Sequence, residues 1–369
     1  MKILELHIGF NLMGGAESMI IGLSNEMAKM NDVTVCSVFR PNFDSIYYTR
    51  ISDKVNKINL GIEKAGFSVR NILKVYSYLK HADYDIIHLH GFFCYFALPI
   101  VLTHKRLKYV YTFHSDAYKE QGKWDMRIHW LKRLCLRKKW MMPVSISPQS
   151  KESFTRYYKL DSFLIENGIP RPTITDNQDI VSQFKITSNT KVFFHPGRIS
   201  EPKNQVVLCK VFMHLIADGQ DVVLLIAGTK QDERIFDEMR PYFSNRIVYL
   251  GERNDVSLIL SQCDGFCLPS IWEGLPVTLL ESLSVGCIPI CSPVGGIVSV
   301  INDGINGFLS DSPSFDDYYS TMQRYLKIEE ESLNVIKQKC KESFEPYDIK
   351  ITANNYLNYF NKLINEGVC

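Results

Sequence analysis

The stretch "KVFFHPGRISEPKNQVVLCKVFMHLIADGQDVVLLIAG", residues 191–228, decides the fold. It opens on an apolar run, passes through polar "RISEPKN", enters a helical pattern and returns to a second apolar run. Apolar runs without alternation suit strands covered on both faces, and a helix between two of them makes a parallel crossover. The same grammar recurs on either side. Toward the C-terminus "RIVYLG" (246–251), "DGFCLPS" (264–270) and "CIPICS" (287–292) read as strands. Toward the N-terminus "KILELHIG" (2–9), "VTVCSVF" (33–39), "DIIHLHG" (85–91), "KYVYTFH" (108–114) and "MMPVSIS" (141–147) do so. Helical patterns fall between most of them, as at 16–29 and 68–80. Two such series predict an α/β protein of two doubly wound, Rossmann-like domains.

The join lies where "FLIENGIP" (163–170) gives way to polar "RPTITDNQDIVSQFKITSNT" (171–190). Asn167-Gly168 is a turn dipeptide, and Pro170 and Pro172 stiffen the chain just beyond it. The expected organisation is a first domain over 1–168, a hinge over 169–190 and a second domain over 191–346. A terminal helix over about 347–369, apolar at Ile351, Tyr356, Tyr359, Phe360 and Leu363, is expected to pack back on the first domain.

Net charge is +2, which gives no case for nucleic acid as partner. The charge is unevenly spread. Through residue 170 basic residues outnumber acidic ones 24 to 15, and beyond it acidic residues lead 25 to 18, as if two units met different partners. The N-terminus carries Glu5 inside its apolar run and reads as a strand, not a secretion signal. The longest apolar run, "FFCYFALPIVL" (92–102), falls short of the roughly 20 residues of a membrane span. A cytoplasmic location is expected. Cys263/Cys267 and Cys287/Cys291 have metal-like spacing, but they sit in strand-like runs with no histidine near in sequence and read as buried thiols.

In open parallel sheets ligands bind beyond the carboxyl ends of the strands. After the first strand, Gly14-Gly15 precedes a helical pattern, which suits either a tight turn or an anionic or hydroxyl-rich ligand. His114 ends the "KYVYTF" strand, placed to bond a hydroxyl or to serve as an acid–base group. His88 and His90 alternate with Leu89 and share one sheet face, where packing is favoured over a metal pair. Arg198 and Lys203 flank an expected helix start, with Ser200 as cap and Pro202 in the first turn. Two fixed cations there suit a diphosphate, each pair worth up to ~4 kcal/mol at close range before desolvation; the bland reading is a solvated basic loop. In "EGLPVTLLE" (273–281), Glu273 falls in a loop, Gly274 permits close backbone approach, and Glu281 falls inside a helix, where it needs a partner. Gly295-Gly296 is a further close-approach loop. Asp83 and Asp85 precede their strand, at the opposite edge, and read as turn residues rather than a metal site.

The segments "GGAES", "DIIHLHG", "TFHSD", "ENGI", "GRISEPKN", "IAG", "LPSIWEGLPVTLLESLSVGCIPI" and "VGG" with "INDGINGFL" run from residue 14 to about 309. In this order they resemble the retaining glycosyltransferases of family 4, with the GT-B fold of two Rossmann-like domains facing a central cleft. The resemblance implies transfer, with retention, of a sugar from a nucleotide-diphospho-sugar donor to a glycan or lipid-linked acceptor, as in surface polysaccharide synthesis. It implies no metal and no cofactor. It implies that Arg198 and Lys203 hold the diphosphate and that Glu281 takes the ribose hydroxyls. Glu273, with the amides of Gly274 and Leu275, would meet the sugar and phosphates. His114 would face the sugar from the first domain, and Gly14 and Gly15 would lie near the phosphates and acceptor. Gly251, Glu252 and Arg253 would lie near the base. His114, Arg198, Lys203 and Glu273 are the expected catalytic set. Val298-Ser299 stands where relatives often carry Pro-Glu, and cysteines replace the small residues usual in the last strands. Two other activities share this architecture: a nucleotide-sugar epimerase or hydrolase, and a nucleotide-sugar-binding protein without turnover.

The segment "KWDMRIHWLKRLCLRKKW" (123–140) interleaves tryptophans and leucines with Lys123, Arg127, Lys132, Arg133, Arg137, Lys138 and Lys139. It reads as a basic amphipathic helix, suited to an anionic membrane surface or simply a solvated face. Lys132, Arg133, Arg137, Lys138 and Lys139 are the expected membrane-facing residues, giving a protein peripheral to the inner face of the membrane.

Overall fold

A computed structural model describes residues 1–10, 15–40, 46–63, 68–91, 94–114, 117–118, 128–174 and 178–366. The chain divides into two compact units, Met1–Pro170 with Tyr347–Cys369, and Arg171–Pro346. Strands of the first unit are β1 (Lys2–His7), β2 (Asp32–Phe39), β3 (Asn56–Ile62), β4 (Ile86–His90), β5 (Lys108–Phe113), β6 (Met142–Ser145) and β7 (Phe163–Leu164). They form one parallel sheet in the order β3-β2-β1-β4-β5-β6-β7.

Both faces of this sheet are covered, and the polar residues that alternate along its central strands, Glu5 and His7 on β1 and His88 and His90 on β4, are buried with the rest. Successive side chains still point to opposite sides. Ile3 of β1 joins Val33, Val35, Ile86 and Val110 beneath helices Gly15–Met27 and Ile349–Asn365. Leu4 and Leu6 join Ile87, Leu89, Tyr109 and Tyr111 beneath the other face, with Val75, Leu79, Ile100, Leu136 and Phe154 from its helices. Each such side chain, fully buried, contributes about 1.5–3 kcal/mol. Glu5 belongs to the odd series of β1, so its carboxylate points under the terminal helix with Ile3.

The terminal helix is anchored at its start. Asp348 accepts from the Lys350 amide, and backbone bonds Ile169 N to Tyr347 O and Ile349 N to Ile169 O, each 2.9 Å, join it to the end of the first segment. Helix Ile349–Asn365 then runs against Gly15–Met27.

The second unit has β8 (Lys191–Pro196), β9 (Val222–Ala227), β10 (Ile247–Tyr249), β11 (Gly265–Leu268), β12 (Ile288–Cys291) and β13 (Phe308–Leu309). Their parallel sheet runs β10-β9-β8-β11-β12-β13. The polar stretch before β8 is tied to this unit: the Gln262 carboxamide oxygen accepts from the amides of Ile180 and Val181 at 2.9 and 3.2 Å.

Three strands lie outside the sequence reading. β3 alternates Asn56, Lys57, Ile58, Asn59 and Leu60 because it is an edge strand, exposed at Asn56, Lys57 and Gly61. β7 and β13 have two residues each, too short for any period. Cys263, Cys267, Cys287 and Cys291 are buried free thiols, and burial raises the pKa of each.

Candidate functional site

Each sheet reverses strand order once, between β1 and β4 and between β8 and β11. Loops leaving adjacent strands in opposite directions open a crevice at such a point.

In the second unit the loop after β8 carries Arg198 and Lys203. The sequence suggests a single helix start at Ser200. The structure instead makes a 3₁₀ turn, Glu201–Lys203, then a left-handed residue, Asn204 (φ 59°), and only then helix Gln205–Ala217. Ser200 begins the turn without a side-chain cap bond. The Asn204 side chain explains the detour: its Nδ2 donates to Pro269 O at 3.0 Å and to Pro313 O at 2.9 Å. Asn tolerates the left-handed region better than most residues. The Ile271 amide donates to Pro202 O at 2.8 Å. The loops after β8 and β11 are thus stitched together across the reversal point.

Lys203 and Glu273 meet there, Nζ to Oε1 at 2.6 Å, with side chains only 17% and 11% exposed. Ser270 Oγ donates to the same carboxylate oxygen at 2.7 Å. Arg198 is exposed, and among the described residues its guanidinium has no ion pair. The backbone holding it is firmly set. Gln205 Nε2 donates to Arg198 O at 2.7 Å and lies 3.2 Å from His195 Nε2, while His195 Nδ1 donates to Cys267 O at 2.8 Å. Burial pushes the imidazole of His195 down to about 4. It is therefore neutral near pH 7, and its Nε2 lone pair can accept from Gln205.

The loop Gly274-Leu275 leads through Pro276 into helix Val277–Val285, where Glu281 lies on a partly exposed side one turn in. Behind it Gly295 (φ +56°) and Gly296 allow the third loop to touch the second: Gly296 N donates to Gly274 O at 2.6 Å. A Cβ on Gly295 would sit 2.0 Å from Glu273 O. Near β10, Gly251 O accepts from Gly228 N at 2.9 Å, Glu252 is exposed, and Arg253 pairs with Asp255 through Nε at 2.8 Å.

In the first unit a polar chain runs under the terminal helix. Glu5 on β1 is fully buried and in register with His88 on β4. Its carboxylate contacts His88 Nδ1 at 2.9 Å and His90 Nε2. His88 Nε2 lies 2.7 Å from Thr112 Oγ1, which lies 2.9 Å from the Tyr356 hydroxyl. The His88 ring also packs against Tyr356 and Phe360, centroids 4.9 and 5.5 Å away. His90 Nδ1 lies 3.0 Å from His114 Nε2. Donor atoms of Glu5, His88 and His90 lie within 4.8 Å of one another, so the trio has the composition of a metal site as well as of a hydrogen-bonded chain. Burial would raise the Glu5 carboxyl, but the two histidines outweigh it and hold it near 2. Burial lowers His90 to about 3 and His114 well below its usual range. Gly15 opens helix Gly15–Met27, while Gly14 lies outside the described residues.

The basic segment is only partly solvent-facing. Its described helix is His129–Arg137, and Lys123 and Arg127 lie outside the described residues. Lys132 does not face solvent: it is 1% exposed. Its ammonium donates to the Tyr111 hydroxyl at 3.0 Å and sits 4.3 Å from that ring's centroid and 5.0 Å from that of Phe113. Among the described residues, cation–π attraction and the hydrogen bond to Tyr111 stabilise it there. Trp130, Arg133 and Arg137 form the exposed face, followed by exposed Lys138 and Lys139. No helix among the described residues is long and apolar enough to cross a membrane.

Glu5, Asn204, Gln205 and His195 escaped the sequence reading as site residues. Glu5 did carry a signal, a carboxylate in an apolar strand, which is costly without partners. Asn204 and Gln205 did not, since their role depends on which loop faces them.

Residues 13–171 match the family model described as Glycosyltransferase Family 4, and residues 176–342 match Glycosyl transferases group 1. The chain is 23% identical over 314 residues to the UDP-Gal:alpha-D-GlcNAc-diphosphoundecaprenol alpha-1,3-galactosyltransferase of Escherichia coli, covering 74% of each chain. Over 121 residues it is 31% identical to the N,N'-diacetylbacillosaminyl-diphospho-undecaprenol alpha-1,3-N-acetylgalactosaminyltransferase of Campylobacter jejuni, 33% of this chain and 32% of that one. Its fold matches a crystal structure of a glycosyltransferase from Rickettsia africae with a TM-score of 0.81 at 16% identity, over 99% of this chain and 98% of that chain. Two family models in tandem, on two sheets that share a strand order over six strands, leave one conclusion: the chain belongs to the group 1, family 4 glycosyltransferases and has their GT-B fold.

Proposed function

We propose that this glycosyltransferase moves a sugar, with retention, from a nucleotide-diphospho-sugar to a polyprenyl-diphosphate-linked or glycan acceptor, without a metal. The carrying observation is the Lys203–Glu273 pair beside exposed Arg198 at the reversal point of the second sheet. Glu273 fixes Lys203 and offsets its charge, so exposed Arg198 supplies the cation that meets a departing nucleoside diphosphate, with Lys203 Nζ donating from the same loop. Lys203 and Ser270 both donate to Glu273 Oε1, which holds the carboxylate as a hydrogen-bonding and electrostatic group. Retention then results from attack on the face the leaving group departs from, the departing phosphate oxygen taking the acceptor's proton. Glu281 takes the ribose hydroxyls, the backbone at Gly251–Arg253 borders the base, and Gly15 lies near the phosphates. His114 on the first unit accepts a substrate hydroxyl. Two relatives named for diphospho-undecaprenol acceptors support the acceptor class.

Trp130, Arg133, Arg137, Lys138 and Lys139 would set the chain on an anionic surface at the inner face of the membrane. The first test is a thermal-shift panel with UDP, GDP, ADP, CMP and dTDP. Turnover is then measured with the matching sugars and a short-chain polyprenyl-diphosphate acceptor, in EDTA, with the product's anomeric configuration read by NMR. One nucleotide at 100 times its Kd should add ~2.7 kcal/mol of stability. No shift with any nucleotide, inversion, or loss of activity in EDTA would each refute the corresponding part. Absence of binding to phosphatidylglycerol vesicles at low salt would remove the membrane contact.

A further inference from the structure

We propose that Glu5 and His90 are positioning residues that hold His114 in its Nε2–H tautomer, so that His114 Nδ1 is a fixed acceptor for a substrate hydroxyl. This deepens the role proposed for His114 and rests on it for the identity of the ligand. An ionised carboxylate offers only lone pairs, so each imidazole nitrogen facing Glu5 must carry a hydrogen. His88 Nδ1 and His90 Nε2 are those nitrogens. With Nε2–H spent on Glu5, a neutral His90 has a lone pair at Nδ1. His114 Nε2, 3.0 Å away, must donate to it. A neutral His114 then has its own lone pair at Nδ1. That atom is cut off from solvent and has no hydrogen-bond partner among the described residues. A buried acceptor without a donor is costly, and a bound hydroxyl would satisfy it.

The other arm of the chain closes on itself and does not compete. His88 Nε2 meets Thr112 Oγ1, which meets the Tyr356 hydroxyl, and two hydroxyls can supply every hydrogen that arm requires. The carboxylate thus plays the orienting role familiar for imidazoles elsewhere, here passed through a second imidazole. A divalent cation held by Glu5, His88 and His90 is the competing account. It would turn His90 Nε2 into a ligand atom and strip it of its hydrogen, and His90 Nδ1 would then carry the proton. His114 Nε2 would have to accept, and its Nδ1 would become a donor. The two accounts therefore predict opposite tautomers.

The test is long-range ¹H–¹⁵N correlation spectroscopy of the full chain labelled in histidine, with His114 assigned by its loss in His114→Gln. The expected result is a neutral Nε2–H tautomer for His114 from pH 8 to pH 5. Glu5→Gln lets the residue-5 side chain donate to His90 Nε2, so His90 and His114 should both switch toward Nδ1–H. Thr112→Val, which cuts only the other arm, should leave His114 as in the unaltered protein. His90→Leu, a second route if Glu5→Gln does not fold, should release His114 into a mixture. An Nδ1–H majority in the unaltered protein would overturn the proposal. So would a folded His90→Leu variant with an unchanged His114 tautomer, or one equivalent of zinc retained on dialysis with His88 and His90 metal-bound. With a nucleotide-sugar donor, Glu5→Gln should lower kcat roughly tenfold, the cost of one misdirected hydrogen bond. If the tautomers behave as described and kcat does not move, the proposed role of His114 fails while the positioning chain stands.

Discussion

Gly295 gives the sharpest single-residue test of the second unit's loop assembly. Its φ is +56°, and a Cβ there would lie 2.0 Å from Glu273 O, 2.8 Å from its carbonyl carbon and 3.0 Å from Gly274 O. Ordinary contact begins near 3.4 Å, so the Gly295→Ala loop must part from the Glu273 loop by more than 1 Å. The left-handed backbone alone costs a non-glycine residue about 1–2 kcal/mol. Overpacking against backbone adds roughly 1–3 kcal/mol. Gly219→Ala separates the two terms, because Gly219 has φ +83° with nothing within 4 Å of its Cβ position. The expected losses are about 1–2 kcal/mol for Gly219→Ala and about 2–5 kcal/mol for Gly295→Ala. Loop separation also pulls Glu273 away from Lys203, which it meets at 2.6 Å. Nucleotide affinity should therefore fall at Gly295→Ala and hold at Gly219→Ala. Denaturant unfolding gives the first comparison and isothermal titration with the matching nucleotide gives the second. Equal, mild effects in both assays would show that the third loop does not brace the Glu273 loop, and the account of Gly295 would be wrong.

Arg198→Ala should cut turnover by on the order of a hundredfold while leaving stability nearly unchanged, since the guanidinium is exposed and makes no ion pair among the described residues; near-normal kcat would remove it from the diphosphate site. Lys203→Met, Glu273→Gln and their combination form a double-mutant cycle whose coupling should lie at about 0.5–3 kcal/mol, as for a largely buried pair; strict additivity in unfolding experiments would make the contact incidental. Stability should fall with acid in a window set by His195. Burial lowers its folded pKa to about 4 from an ordinary 6.5, so between those values only the unfolded chain takes the proton. This contribution is complete above pH 6.5 and is lost as pH falls toward 4, on the order of 3 kcal/mol in all. His195→Gln should flatten the slope over that window, and a slope equal to that of the unaltered protein would assign the acid sensitivity elsewhere.

The parallel sheets were legible because burial on both faces lets strands run apolar without a break: β9 is apolar throughout and β8 from Val192 to Phe194. Edge strands lose that signal: one side of β3 faces water, and its Asn56, Lys57 and Asn59 break the apolar run. Loop residues with a charge to place, Lys203 and Glu273, were likewise open to a reading from sequence, since each ends a strand-to-helix step in an order shared with a known family. The supports of those residues were not. Asn204 reads as an ordinary polar turn residue until Pro269 and Pro313 are seen opposite its carboxamide. Lys132 misled for the same reason in reverse. A lysine in a basic segment suggests a solvated charge, and only the pairing of β5 with its neighbours brings Tyr111 and Phe113 beneath it. Glu5 lies between these cases. A carboxylate inside an apolar strand demands a partner by local chemistry alone, but the identity of that partner is a matter of register, Glu5 against His88 across 83 residues of chain. Sequence therefore shows that a buried charge must be answered. Which residue answers it, and what proton arrangement results at His114, depends on the order in which the strands are laid side by side.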